Sequence, residues 1–189
     1  MDWRDIQGVG RVALGQFSPG EVASITGLST DLQRVWRRRG HLPARSGSHA
    51  SFDARDVAAI AVRHDLTRMG FAPPDTVEIG RLSAPIVLYF ALLSSDGAAH
   101  LQGGFKRIAE ITQRLTDDER LAMLISEVRE PRRYVLITEP PAWEFVDDAA
   151  AILSEESFPA MLVLDLALIG QRLVTQNPKP LFLIDVAGQ

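Results

Sequence analysis

Apolar residues recur three or four positions apart along most of the chain, and each such stretch is bracketed by a capping residue and a glycine or proline. That spacing predicts amphipathic helices. Ser18-Pro19-Gly20-Glu21 reads as a helix start, with Ser18 as cap, Pro19 at the first helical position and Glu21 three residues after the cap. Val22, Ile25 and Thr26 form its inner face, and Gly27 ends it. Ser29 or Thr30 caps a second helix. Its edge of Leu32, Val35, Trp36 and Arg39 leaves the rest rich in arginine, and Gly40 closes it. Residues 44–51 are small and polar and suit a tight hairpin, with Phe52 as its anchor to the core. Asp53, with Asp56 three residues on, opens a third helix carrying Val57, Ile60, Ala61 and His64 and stopped at Gly70.

Beyond the corner Phe71-Ala72-Pro73-Pro74, the seam Ile79, Leu82, Ile86, Tyr89 and Leu93 has helix-packing spacing. Pro85 interrupts it, which predicts two helices or a kink near Ser83; the rival reading makes 86–93 a buried strand. Further on, Thr116-Asp117-Asp118-Glu119 is another capping box ahead of a helix with Leu121, Leu124, Ile125 and Val128 inward. Residues 134–138 read as a strand and 145–153 as helix. Residues 159–176 are a strand plus a helix or one long helix, with Leu162, Leu166, Ile169 and Leu173 favouring the long helix. Residues 181–186 form a terminal strand. The expected architecture is mainly α with small β elements, divided into an N-terminal unit, 14–82, and an α/β C-terminal unit, 83–189.

Charge sharpens the division. The net charge of −4 hides a basic first part: residues 1–68 hold 10 arginines against 7 acids, and 69–189 hold 10 basic residues against 17 acids. Between Leu32 and Phe52 stand five arginines and no acid. Arginine suits two-pronged contacts to phosphate or guanine. The absence of cysteine excludes disulfides and thiolate metal sites and suits a reducing compartment. Neither a signal-peptide pattern nor an apolar run of membrane-spanning length is present, so a cytoplasmic protein without membrane contact is expected.

The segment from Phe17 to about Leu82 resembles the DNA-binding domain of the MerR family, a winged helix-turn-helix. The resemblance rests on Phe17-Ser18-Pro19-Gly20-Glu21-Val22-Ala23, Thr26-Gly27-Leu28-Ser29, Arg34-Val35-Trp36-Arg37-Arg38-Arg39-Gly40-His41-Leu42-Pro43, Phe52-Asp53-Ala54-Arg55-Asp56-Val57 and Arg68-Met69-Gly70-Phe71, five pieces in the family's order. Val35, Arg37 and His41 depart from it, as does Ser51-Phe52 in place of an arginine–aromatic pair in the wing. The resemblance covers about a third of the chain.

What it implies is a sequence-specific, double-stranded-DNA-binding regulator of transcription whose second helix enters the major groove. Ser29, Thr30, Asp31 and Gln33 then face bases, with Gln33 the best candidate for reading adenine and Asp31 read slightly rather as serving the helix dipole. Arg34, Arg37 and Arg38 grip phosphates, and Arg45 or His49 stands in for the missing wing arginine. Trp36 either approaches the DNA backbone or packs between the helices. A homodimer on paired half-sites is expected, joined through 79–93 or the C-terminal unit, where an effector or protein partner also has room. The alternatives are an excisionase-like factor that bends DNA, or a protein-interaction adaptor without DNA binding. No catalytic constellation, cofactor or metal site emerges: His41, His49, His64 and His100 suit structural or DNA-side roles, and Tyr134, Trp143 and Phe145 suit core packing better than a ligand pocket.

Overall fold

A computed structural model describes residues 4–6, 10–42, 51–94, 99–101, 131–138, 142–148, 160–177 and 179–185. Five helices and nine short strands lie within them, a mixed α/β architecture. The helices are α1 (Pro19–Thr26), α2 (Thr30–Arg38), α3 (Ala54–Arg68), α4 (Val77–Leu93) and α5 (Leu166–Thr175). Strands β1 (Arg4–Ile6), β2 (Gly10–Leu14), β9 (Phe182–Asp185) and β5 (Ala99–Leu101) form one sheet in that order. β3 (Gln16–Phe17) pairs with β4 (Phe52–Asp53), setting Phe17 against Phe52. β6 (Tyr134–Ile137) lies between β7 (Trp143–Val146) and β8 (Leu162–Asp165) in an antiparallel sheet.

The capping signals are realised as bonds. Ser18 Oγ accepts from the Glu21 N–H while the Glu21 carboxylate accepts from the Ser18 N–H, and Asp53 and Asp56 repeat the exchange at the head of α3. Gly27, Gly40 and Gly70 all take left-handed φ values at the expected helix exits. Phe52 is buried, as an anchor should be, and β6 and β9 form where strands are expected.

Four local expectations are corrected. Residues 77–93 form one helix through Pro85, so the two-helix alternative is not realised. A proline inside a helix costs about 3 kcal/mol. Ala84, Ile86, Val87, Leu88, Ala91 and Leu92 are all buried around it, and each large aliphatic returns about 1.5–3 kcal/mol. The helix over 77–93 excludes the strand reading of 86–93. Phe145 and Val146 belong to β7 rather than a helix: Trp143 and Phe145, two apart, share one strand face and meet edge to face at 5.5 Å. Residues 162–165 are strand and 166–175 helix, the strand-plus-helix alternative rather than the favoured long helix. Asp165 caps α5, accepting from the Ala167 and Leu168 N–H groups, and its carboxylate also receives the Arg133 guanidinium at 2.6 Å. The hairpin at 44–51, apart from Ser51, and the capping box at 116–119 with its helix lie outside the described residues.

The core runs from Phe17 and Val22 through α3 and α4 to Leu173 and Phe182. Gly170 lets α5 sit directly on the α4 backbone, since a Cβ there would stand 2.6 Å from the Val87 carbonyl oxygen. The position 82/83 falls inside α4, and β2 near one end of the chain pairs with β9 near the other. Ile79, Ile86 and Tyr89 are buried within the chain. Most of the 79–93 seam therefore packs inside the chain, with Leu82 half-buried and Leu93 exposed, so the expectation that the seam as a whole is offered to a second copy is corrected.

Candidate nucleic-acid interface

α1 and α2 are joined by the three residues Gly27-Leu28-Ser29, and each takes part in holding the helices together. Gly27 sits at φ +77° with its N–H on the Ala23 carbonyl. Thr26 Oγ1 donates to the Val22 carbonyl and accepts from the Leu28 N–H, fixing the buried Leu28 beneath the turn. His64 Nδ1 lies 2.9 Å from the Thr26 carbonyl, which can only accept, so the proton sits on Nδ1 and the ring is a structural tie from α3. Ser29 Oγ accepts from the Leu32 N–H and caps α2.

The rotation of α2 about its own axis is set by Gln33 and Trp36. Gln33 is 1% exposed, and its amide nitrogen donates to the Pro19 carbonyl at 3.0 Å and the Leu28 carbonyl at 2.9 Å. The expectation that Gln33 reads a base is corrected: the side chain is spent on bonding α2 to both ends of α1. Gln33→Ala is expected to lower stability by about 1–3 kcal/mol, because two buried carbonyls lose their donor; thermal denaturation reads this directly. Trp36 is buried as well, with the Arg63 guanidinium 4.8 Å above its ring, so of its two expected roles it fills the packing one.

With Gln33 and Trp36 inward, successive steps of 100° put Asp31, Arg34, Val35 and Arg38 on the outer side of α2. Arg34 and Asp31 form an exposed pair at 2.6 Å, with side chains 75% and 84% accessible. Such a pair is worth about 0–1 kcal/mol and leaves Arg34 available to an anion. Arg38 and Arg39 are exposed, and the ion pairs found among the described residues include neither. Arg37 differs: it is half-buried with its guanidinium 5.7 Å from the Phe52 ring centre, and its Nε and Nη2 are buried without hydrogen-bond partners. Only its Nη1 is left for outside contact. Thr30 is half-buried and Ser29 exposed at the N-terminal end of the helix. Arg45 and His49 lie outside the described residues.

Beside this face runs an open cleft of about 750 Å³, lined by Gln16, Thr30, Arg34, Arg37 and Lys179 among others. Lys179 Nζ pairs with Glu21 at 2.5 Å. The Lys179 ammonium, followed by the Ser18 N–H, holds the Glu21 carboxyl below its ordinary value. Lys179 was missed by sequence reasoning because it lies some 140 positions from α2 in a chain section that is acidic as a whole. Nothing local marks it; the β2–β9 pairing brings it there.

Arg63 was missed too, although it sits three residues after Ile60 on a helix buried nearly all round. Its Nη1 donates to the His41 carbonyl at 2.6 Å, Nη2 to the Pro73 carbonyl at 3.3 Å and Nε to Thr76 Oγ1 at 3.3 Å. It thus ties the end of α2 to the α3–α4 corner. A charge at an apolar-stripe position of the third helix was the available signal.

Among the described residues no helix is long and apolar enough to cross a membrane. No protein-family model matches the chain, and no curated protein matches it significantly.

Proposed function

We propose that this protein is a sequence-specific, double-stranded-DNA-binding regulator of transcription, using a MerR-like winged helix-turn-helix in which α2 enters the major groove. The observation that supports the reading best is the outer face of α2. Arg34 and Arg38 project from it with no commitment stronger than one surface pair, while Gln33 and Trp36 hold the helix from behind. A helix fixed in rotation with guanidinium groups outward is what groove binding needs. The pairing of β4 with β3 supports the wing, since it returns the chain to the start of α1 after the 43–50 segment.

The proposed roles are as follows. Arg34, one turn into α2, takes the base-reading place vacated by Gln33, where a guanidinium can pair with guanine through two bonds. Ser29, Thr30, Arg38 and the Nη1 edge of Arg37 meet phosphates, and Lys179 extends the basic surface across the cleft. Arg45 and His49 remain the proposed wing contacts. A homodimer on paired half-sites is part of the proposal, with its surface away from the buried 79–93 seam.

The test is fluorescence anisotropy of a labelled pool of random duplexes titrated with protein at rising salt. Four cationic contacts to phosphate, from Arg37, Arg38, Arg45 and Lys179, predict a log–log slope of about −3.6, at −0.9 each. Binding that ignores salt, or no binding at low salt, contradicts the reading.

A further inference from the structure

Next to the exit of α2, between α3 and α4, lies an open cavity of about 380 Å³. That is within the roughly 300–1,000 Å³ typical of small-molecule sites. Leu42, Phe52, Ile60 and Ala84 supply apolar wall. From its buried side comes Arg63, only 5% exposed. The arginines Arg55 and Arg81 also line it, and Asp56 is the one acid among the lining residues, its carboxylate already accepting the Asp53 N–H.

Arg63 is a built feature. Its aliphatic stem lies so close to α4 that a Cβ on Gly80 would stand 2.4 Å from its Cγ. Among the described residues no carboxylate pairs with it, and its three protein acceptors are two backbone carbonyls and a hydroxyl. A guanidinium carries five N–H donors, so two remain unspent. A buried cation without a counter-charge is costly, and it is normally paired. Burial draws its pKa down to about 10, which still leaves it charged at neutral pH. The molecule thus holds a desolvated positive charge, stacked on the Trp36 ring but without a carboxylate and with donors to spare, at the wall of a partly apolar cavity open to solvent.

We propose that this cavity binds a small organic monoanion, a carboxylate or sulfonate on an apolar body, whose anionic group pairs with Arg63 while the body packs on Leu42, Ile60 and Ala84. A bare inorganic anion leaves the apolar wall uncovered, and a neutral apolar molecule leaves the cation unpaired; the organic anion satisfies both. Because the Arg63 guanidinium also holds the His41 carbonyl at the end of α2, the bound anion is wired to the pose of that helix. The site does not rest on the DNA-binding reading and stands or falls separately.

Isothermal titration of the full chain with 4-phenylbutyrate and with the neutral 4-phenylbutanol tests it. The expected result is one saturable site for the anion and at least about tenfold weaker binding of the alcohol, the worth of one charge-assisted hydrogen bond. Arg63→Met removes the charge, and Ala59→Leu fills the cavity while leaving the guanidinium in place, so the second variant decides should the first not fold. Both are expected to weaken the anion by at least about tenfold. No saturable binding, equal binding of the alcohol, or unchanged affinity in Ala59→Leu overturns the assignment.

Discussion

Replacing Arg34 and Arg38 together by alanine is expected to weaken binding to duplex DNA by about 3 kcal/mol, roughly 100-fold at low salt. Each guanidinium forms charge-assisted bonds worth about 1.5–3 kcal/mol. Part of the Arg34 gain is offset by release from Asp31, an exposed pair worth at most about 1 kcal/mol. The salt slope is expected to become shallower by about 0.9, the phosphate contact of Arg38, since Arg34 is assigned to a base. Stability is expected to hold within about 0.5 kcal/mol, since both side chains leave an exposed helix face. Arg37 is excluded from the pair because its guanidinium lies over Phe52, and its loss mixes packing with binding. Anisotropy on the variant and the parent, with melting curves alongside, reads both effects. Unchanged affinity in a folded variant means that the outer face of α2 is not the contact surface.

The largest effect on stability is expected at Gly170. A Cβ there meets the Val87 carbonyl oxygen at 2.6 Å and the Ala91 nitrogen at 2.8 Å, both backbone atoms of α4 that cannot swing aside. Gly170→Val therefore forces α5 off α4, and with it the buried Leu166, Ile169 and Leu173. Overpacking of this kind costs about 3 kcal/mol or more, a large share of the roughly 5–15 kcal/mol that holds a domain together. Gly20→Ala is the matched control. Nothing lies within 4 Å of the added carbon and no left-handed φ is required, so a small gain of about 0.5 kcal/mol is expected. Urea denaturation of the two variants gives the comparison; similar midpoints would show that the α4–α5 contact is looser than its geometry.

The legible parts of the fold are those fixed by neighbours in sequence. Ser18 with Glu21, Asp53 with Asp56, and the glycines at 27, 40 and 70 are local bargains between a side chain or a backbone conformation and the next turn, and they formed as read. What could not be read depends on distant partners. Pro85 is tolerated because α4 is buried between α3 and α5. The 143–146 stretch becomes a strand because β6 is there to pair with it.

The candidate site divides in the same way. The arginine density of α2 is visible in the sequence, but the rotation of the helix is not. Read by hydropathy, Leu32 belongs inside and Gln33 outside; the structure exposes Leu32 and buries Gln33, because two carbonyls of the α1 end and turn claim its amide. Lys179 and Arg63 reach their places through tertiary pairing alone. Among the described ion pairs the arginines of α2 meet no carboxylate of the acidic second half.

Amide NMR spectra of the labelled protein, recorded while a duplex carrying its selected site is added, test the central claim most directly. The account predicts the largest shifts at 29–39, with Arg34 and Arg38 side-chain signals moving and the buried amide of Gln33 keeping its bonds. Saturable DNA binding whose shifts fall elsewhere, with 29–39 unmoved, would contradict it.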